Sequence, residues 1–219
     1  GAGGDTIFGG SGDDVIWSAT NGSLSDTQGD FAWAGSGDDE VNGSAGADQL
    51  GGGAGNDTIN GGAGADKIYG GVGDAETPGL NDSIIGGAGN DTIFGSDGND
   101  VIIGENGNDL LFNGSGNDTV SGGANDDTIW GGGGDDMLTG GTGADTFTFA
   151  AGNGADTITD FDIQEDRLDL NELNLDGLSD ITAIASDTVE GLLINFDDNF
   201  SILINNASVS DLENIQILF

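Results

Sequence analysis

The chain has 219 residues, of which 45 are glycine, and its formal net charge is -38 because only two residues are basic. Two cations cannot form the basic groove that binds nucleic-acid phosphates, and an anionic membrane surface would repel the chain. Cysteine and histidine do not occur in the sequence, which excludes disulfides, zinc fingers, thiol nucleophiles and imidazole bases. No stretch approaches the ~18 apolar residues of a membrane span. We therefore expect no nucleic-acid partner and no membrane insertion.

The charge and the apolar content point in opposite directions. A net charge of this size normally predicts disorder, because self-repulsion opposes compaction. The hydrophobic residues nevertheless make up 35% of the chain, and proline occurs once. The composition therefore predicts a chain that compacts only when something neutralises its acidic residues.

The dominant feature is an internal repeat of nine residues, G-G-x-G-x-D-x-U-x, in which U is a large apolar residue. Seven copies follow one another without a break over residues 86–148. Sixteen copies fit residues 1–159 when two insertions and one slip are set aside, at 22–28, 74–80 and Phe149-Ala150. A repeat of this kind predicts a solenoid in which neighbouring units stack.

Each repeat combines a turn with a very short strand. Glycines at positions one, two and four give the backbone the freedom that a tight turn needs, and the triplet x-U-x is too short for a helix and rich in β-forming residues. Position eight is apolar in every copy, and alternation along a strand directs it to one face. The pattern predicts one coil per two repeats, a strand on each side, and coils ~4.8 Å apart around a core of position-eight side chains.

Position six is aspartate in all sixteen copies. Coiling places the aspartate of one repeat beside that of the second repeat along the chain, and the sequence offers almost no basic partner. Carboxylate and carbonyl oxygens are hard ligands that suit Ca²⁺. Aspartate is also a common turn former, but sixteen copies in strict phase favour a metal site. An EF-hand loop is absent from the sequence.

The nonapeptide resembles the RTX (repeats-in-toxin) family of secreted bacterial proteins, and the resemblance covers about residues 1–159. It implies an all-β fold, a right-handed parallel β-roll with rows of calcium ions along both edges. It also implies that position-six carboxylates and carbonyls from the first four positions of each repeat hold ~10–14 calcium ions. Departures at Ser18-Ala19, Asn21 and Asn125 weaken individual sites.

The resemblance assigns the aspartates to two rows of ligands. The first row is Asp5, Asp30, Asp48, Asp66, Asp91, Asp109, Asp127 and Asp145, and the second is Asp14, Asp39, Asp57, Asp82, Asp100, Asp118, Asp136 and Asp156. The carbonyl ligands are carried over to glycines of the turns, Gly52, Gly53, Gly55, Gly86, Gly87, Gly89, Gly131, Gly132 and Gly134.

Residues 160–219 lack the glycine period and form a second region. A solenoid needs its open end covered, so we expect a β-rich cap with a hairpin that joins 192–196 to 201–204. The resemblance also implies a C-terminal segment for type I secretion. Arg167 lies among acids and is expected to form an ion pair.

Position nine faces outward, and on one sheet it is mostly aromatic: Phe8, Trp33, Tyr69, Phe94, Phe112 and Trp130. Such a stripe can dock another protein domain, bind a polysaccharide, or simply stabilise neighbouring strands.

The leading hypothesis is a non-catalytic calcium-binding module that folds outside the cell and supports secretion and folding of an attached N-terminal domain. The chain starts inside a repeat, which favours such a preceding domain, and the resemblance implies an extracellular protein of a Gram-negative bacterium. The alternative is a polysaccharide-binding or adhesive module that uses the aromatic stripe. Paired carboxylates can also serve a glycosidase, but every close pair here is a predicted calcium ligand.

Overall fold

The computed structural model describes residues 3–19, 26–71, 80–152 and 154–219. Up to residue 169, short strands alternate between two sheets, so consecutive strands lie on opposite sides of a coil. Residues 1–2, which open the predicted first repeat, lie outside the described residues. So do most of the two predicted insertions.

Ten strands of the described chain form the first sheet, in the order β1-β3-β5-β7-β9-β11-β13-β15-β17-β21. Their bounds are Thr6–Ser11 (β1), Phe31–Ser36 (β3), Gln49–Ala54 (β5), Lys67–Gly71 (β7), Thr92–Asp97 (β9), Leu110–Ser115 (β11), Thr128–Trp130 (β13), Thr146–Thr148 (β15), Arg167–Asp169 (β17) and Gln216–Leu218 (β21). Neighbouring strands in this sheet pair in parallel.

Eleven strands of the described chain form the second sheet, in the order β18-β19-β20-β16-β14-β12-β10-β8-β6-β4-β2. Their bounds are Val15–Trp17 (β2), Glu40–Asn42 (β4), Thr58–Ala63 (β6), Ser83–Ala88 (β8), Val101–Asn106 (β10), Thr119–Ala124 (β12), Met137–Thr142 (β14), Gly154–Ile158 (β16), Ala185–Asp187 (β18), Gly191–Asp197 (β19) and Phe200–Asn205 (β20). All pairs from β2 to β20 are parallel, whereas β18, β19 and β20 pair in antiparallel fashion. The predicted parallel β-roll is confirmed.

The core lies between the two sheets and consists of the predicted position-eight side chains. Strand register stacks these residues on one another, as in Ile84 against Ile102 and Ile102 against Val120. From Ala32 to Ile158 every position-eight side chain is fully buried. Ile7, in the first coil, is only partly buried, because no described coil covers that end.

Glycine is required where one coil passes close to the next. Gly53 has φ +118°, and a Cβ there would lie 2.1 Å from the Gly35 carbonyl oxygen. An L-amino acid with a side chain rarely adopts this φ. The glycines at positions two and four therefore both turn the chain and let neighbouring coils approach.

Residues 160–219 continue the two sheets and do not form a separate layer. Strands β17 and β21 extend the first sheet, and β20, β19 and β18 extend the second. The predicted hairpin is confirmed as β19 and β20. One α-helix, Leu178–Ile184, and two 3₁₀-helices, Asn171–Leu173 and Val209–Asp211, complete the described part of this region.

Two smaller points bear on the tail. Arg167 Nε donates to Gln216 Oε1 at 3.0 Å, so its hydrogen-bond partner is an amide and not the expected acid.

Among the described residues, no helix has the length and apolar character needed to cross a membrane. The division of the chain at residue 159 stays a prediction, because both regions share their sheets.

Candidate metal centre

The structure brings the sixteen position-six aspartates into the two predicted rows. In both rows, up to the last member of each, the aspartate main-chain N–H donates to Oδ1 of the aspartate one coil further on, as from Asp91 to Asp109 at 2.8 Å and from Asp100 to Asp118 at 2.7 Å. The same contact links successive members along both rows. One oxygen of each carboxylate after the first coil therefore holds two coils together.

The second carboxylate oxygen has a different environment. In the described part of the chain, Oδ2 is buried without a hydrogen-bond partner in twelve of these residues: Asp14, Asp30, Asp39, Asp57, Asp66, Asp91, Asp100, Asp109, Asp118, Asp127, Asp145 and Asp156. A buried carboxylate oxygen with no donor is strongly unfavourable unless a cation or proton compensates it.

Two aspartates of the rows have a partner for Oδ2. The Ser44 main-chain N–H and hydroxyl both contact Asp48 Oδ2, at 2.7 and 3.1 Å. The Asn113 side-chain amide donates to Asp136 Oδ2 at 3.0 Å. Ser44, in the repeat of Asp48, and Asn113, one coil before the repeat of Asp136, both stand where the consensus has glycine.

The position-one glycines leave room beside Oδ2. A Cβ at Gly104 would lie 2.4 Å from Asp109 Oδ2 and 2.5 Å from the Gly122 carbonyl oxygen. A side chain would therefore enter the space that this carboxylate and carbonyl oxygen face. The absence of a Cβ at position one keeps a set of oxygen atoms open to a small ligand.

The glycines predicted as carbonyl ligands either face Oδ2, at position one, or have positive φ angles, at positions two and four, and Gly131 departs from the first pattern. A Cβ at Gly52 or Gly86 would meet Oδ2 of its own repeat at 2.2 or 2.6 Å. At positions two and four the φ angles are positive, in Gly53, Gly55, Gly87, Gly89, Gly132 and Gly134. At Gly131 a Cβ would instead meet the Phe149 ring, at 2.8 Å.

Burial raises the pKa of most aspartates in the rows, because a charged carboxylate loses its hydration. Desolvation raises the pKa of Asp118 and Asp156 to about 8. It raises the pKa to about 7 in Asp66, Asp82, Asp127 and Asp136 and to about 6 in Asp57, Asp100, Asp109 and Asp145. Neighbouring aspartates add repulsion at Asp118 and Asp156. Folding without a counter-ion therefore favours proton uptake.

The first row extends beyond the last predicted repeat to Asp166. The Asp145 N–H donates to Asp166 Oδ1 at 2.9 Å, and Asp166 is buried. Sequence reasoning missed this residue because glycines do not precede it. A signal was present, since Asp166 stands two residues before the buried Leu168, as position six stands before position eight.

A second ladder of hydrogen bonds, which sequence reasoning also missed, runs along position five. Asparagine and aspartate side chains accept the N–H of the residue one coil further on, as Asn81 Oδ1 does from Asn99 and Asn99 Oδ1 from Asn117, both at 2.7 Å. These side chains are exposed. They stabilise the turn from outside, while the aspartate rows lie inside it.

The sequence profile of the RTX calcium-binding nonapeptide repeat (4 copies) matches residues 1–20, 26–50, 52–74, 79–111 and 112–147. These segments make up more than half of the chain, and they contain every aspartate of the two rows except Asp156. The chain belongs to the RTX repeat family. RTX nonapeptides are calcium-binding, non-catalytic modules.

One solved structure is similar to part of the present chain. The solution structure of the AlgE6R3 subunit from the Azotobacter vinelandii mannuronan C5-epimerase is 27% identical, with a TM-score of 0.42. The alignment covers 67% of the present chain and 82% of that subunit. No curated protein gives a significant match.

The donor set of the RTX turns fits calcium. It consists of carboxylate and carbonyl oxygens, and Ca²⁺ takes six to eight such ligands. Within the described ranges, no site gathers three or more acidic side chains. The main-chain carbonyl oxygens of the glycine-rich turns are the further protein oxygens that could contribute to a calcium shell.

Proposed function

We propose that this chain is a non-catalytic, calcium-dependent folding module of a secreted protein. The observation that carries the proposal is the set of twelve buried Oδ2 atoms without a hydrogen-bond partner in the described chain. The position-six carboxylates of both rows, together with carbonyls of positions one, two and four, would hold the ions.

Calcium binding and folding are coupled in this proposal. Without cations, the folded roll places rows of like charges side by side in a desolvated turn. The unfolded chain solvates the same carboxylates, so the metal-free equilibrium favours it. Because unfolded chains lack preformed sites, the free energy of binding becomes free energy of folding.

This coupling suits a protein that leaves the cell. Extracellular calcium modules have dissociation constants of ~10⁻⁴–10⁻³ M, well above cytosolic calcium. The chain would stay unfolded inside the cell and fold after export, and proteins with RTX repeats are typically secreted. We propose that this difference supports type I secretion and the folding of an N-terminal domain attached to the roll, and that residues 160–219 act as cap and secretion segment.

The test is a calcium titration of the purified chain, followed by far-UV circular dichroism and size-exclusion chromatography. We expect an expanded chain in chelator and a cooperative gain of β-structure with a fall in hydrodynamic radius as calcium rises. Mg²⁺ at equal concentration is the control and should not fold the chain, because its octahedral geometry does not match carbonyl-rich turns. A compact chain in chelator at neutral pH would contradict the proposal.

The ring contacts in the aromatic stripe favour a role in stabilising the sheet over a role in binding polysaccharide. Neighbouring rings stack on one another, with centroids 4.8 Å apart for Phe94 and Phe112 and 4.1 Å apart for Phe112 and Trp130. Sugar rings bind to aromatic faces, and these faces already contact the next ring. We therefore keep the folding module as the proposed function.

A further inference from the structure

Asn113 interrupts the pattern of the second row. It stands at position one of the repeat 113–121, where the consensus has glycine, and its side chain is fully buried. The preceding coil of this sheet has Gly95 at the equivalent place, where a Cβ would lie 2.7 Å from Asp100 Oδ2. A polar side chain has therefore entered the space that other turns keep open.

The amide of Asn113 joins two oxygens of the next coil. Its Nδ2 donates to the Gly131 carbonyl oxygen at 2.8 Å and to Asp136 Oδ2 at 3.0 Å. These are the oxygen types, a position-one carbonyl and a position-six carboxylate, that the proposed calcium ions would bridge. Within the described residues, Oδ2 of the neighbours Asp118 and Asp156 has no hydrogen-bond partner, although the Asn113 amide also lies close enough to Asp118 to oppose the desolvation that raises the pKa of that carboxyl.

The orientation of the amide follows from its partners. A carbonyl and a carboxylate oxygen both accept hydrogen bonds, so the NH₂ group must face them. The reverse orientation would place the Asn113 carbonyl oxygen against two other oxygens. Asn113 Nδ2 therefore presents donors to Gly131 and Asp136, while its Oδ1 faces away from both and is buried without a hydrogen-bond partner among the described residues.

The turn that carries Gly131 and Asp136 also differs from the other turns in having an aromatic ring beside its position-one glycine. The Phe149 side chain is buried, and its ring occupies the space beside Gly131, 2.8 Å from an ideal Cβ there. In most repeats this space faces Oδ2 of the repeat's own aspartate, as Gly122 faces Asp127 at 2.3 Å. The turn of Asp136 is thus altered both by an amide and by a ring.

We propose that the Asn113 side-chain amide replaces calcium at Asp136, so that this junction between coils binds no ion. The inference rests on the proposed calcium-dependent function and concerns one position within it. Two neutral N–H donors satisfy the oxygens that elsewhere require a cation, and the coils remain linked here without metal.

The test counts bound ions by native mass spectrometry in excess calcium, with circular dichroism to establish folding. The variant Asn113→Gly recreates the consensus and should bind one more ion than the parent chain. The reciprocal variant Gly86→Asn should bind one ion fewer, since its amide would reach the Gly104 carbonyl and Asp109 Oδ2 in the same geometry. An ideal Cβ at Gly86 lies 2.6 Å from Asp91 Oδ2 and 2.9 Å from that carbonyl, so Gly86→Ala is the matched steric control and should keep the parent ion count in excess calcium.

An unchanged or reduced ion count in folded Asn113→Gly would overturn the inference. If that variant does not fold, Gly86→Asn decides alone, and an unchanged count there would overturn it. A parent chain that binds no calcium would instead contradict the proposed function. The two failures are therefore distinguishable.

Discussion

At the scale of single residues, the position-six aspartate divides its two oxygens between two roles. Oδ1 accepts a main-chain N–H from the neighbouring coil. Oδ2 is buried and, at twelve positions of the described chain, lacks a donor. The same side chain thus aligns two coils and creates a demand for a cation.

Substitutions of the adjacent residues Asp126 and Asp127 distinguish the effect of a surface charge from that of a charge at the proposed calcium site. Asp127→Asn removes the anionic Oδ2, and we expect the calcium midpoint to rise and the free energy of unfolding in calcium to fall by about 1–3 kcal/mol. The control, Asp126→Asn, keeps the exposed acceptor that binds the Ala144 N–H at 2.9 Å and should change little. Isothermal titration and thermal unfolding measure both effects, and equal effects of the two variants would contradict the assignment.

A second pair of variants tests whether the space beside Oδ2, which the position-one glycines leave open, is needed. Gly104→Ala places a Cβ 2.4 Å from Asp109 Oδ2, and we expect about 1–3 kcal/mol of destabilisation together with weaker calcium binding. Gly133→Ala is the matched control, because no described atom lies within 4 Å of its Cβ. Thermal unfolding in calcium compares them. Similar melting temperatures for the two variants would show that the space is not needed.

At the scale of elements, the aromatic stripe is a continuous stack along the first sheet. In the strand between those of Trp33 and Tyr69, position nine is Gly51, and the Trp33 ring covers it, 2.4 Å from an ideal Cβ. Trp33 thereby approaches Tyr69 two coils away, with centroids 5.9 Å apart. The Lys67 ammonium lies 5.2 Å from the Tyr69 centroid and 5.8 Å from that of Phe94, a distance at which cation–π attraction operates.

Phe112 lies in the middle of this stack, between Phe94 and Trp130. Phe112→Ala removes two ring contacts, and we expect the free energy of unfolding in calcium to fall by about 1–3 kcal/mol. Phe8→Ala is the control, since Phe8 is 69% exposed at the end of the stack. Chemical denaturation in calcium measures the difference. No measurable loss for Phe112→Ala would indicate that ring stacking in the stripe does not stabilise the sheet.

The elements themselves were largely predictable because one period governs turn, strand and core together. Position eight identified the buried column, and position six identified which aspartates meet. Asp166 escaped prediction because the strand pattern persists there without the glycines. The role of Asn113 escaped because its amide acts on the next coil, 18 and 23 residues further on, and only the stacked geometry shows which group lies there.

At the scale of the whole molecule, the acidic residues behind the net charge of -38 make the stability of the fold depend on pH. Burial raises the pKa of Asp118 to about 8 and that of Asp66 to about 7 in the folded chain. For a carboxyl whose folded pKa exceeds its unfolded value, protonation favours folding. This contribution is fully present below the unfolded pKa and is lost as the pH rises through the folded pKa.

The metal-free protein should therefore become more compact as the pH falls from about 8 to about 5. Calcium affinity should fall over the same range, because protons compete for the same oxygens. Circular dichroism and size-exclusion chromatography in chelator, repeated with calcium, measure the two opposite trends. A metal-free chain that expands on mild acidification would show that these carboxyls do not control folding.

The contacts between coils depend on position within a repeat and not on the length of chain between partners. The Asp82 main-chain N–H donates to Asp100 Oδ1 across 18 residues at 2.8 Å, and the Asp57 main-chain N–H donates to Asp82 Oδ1 across 25 residues at the same distance. The seven additional residues at 74–80 leave this spacing unchanged. A coil edge of this roll is thus a natural insertion point for guest peptides. Loops grafted at successive coils would be displayed in a regular array with steps of ~4.8 Å, the spacing of the strands that carry them.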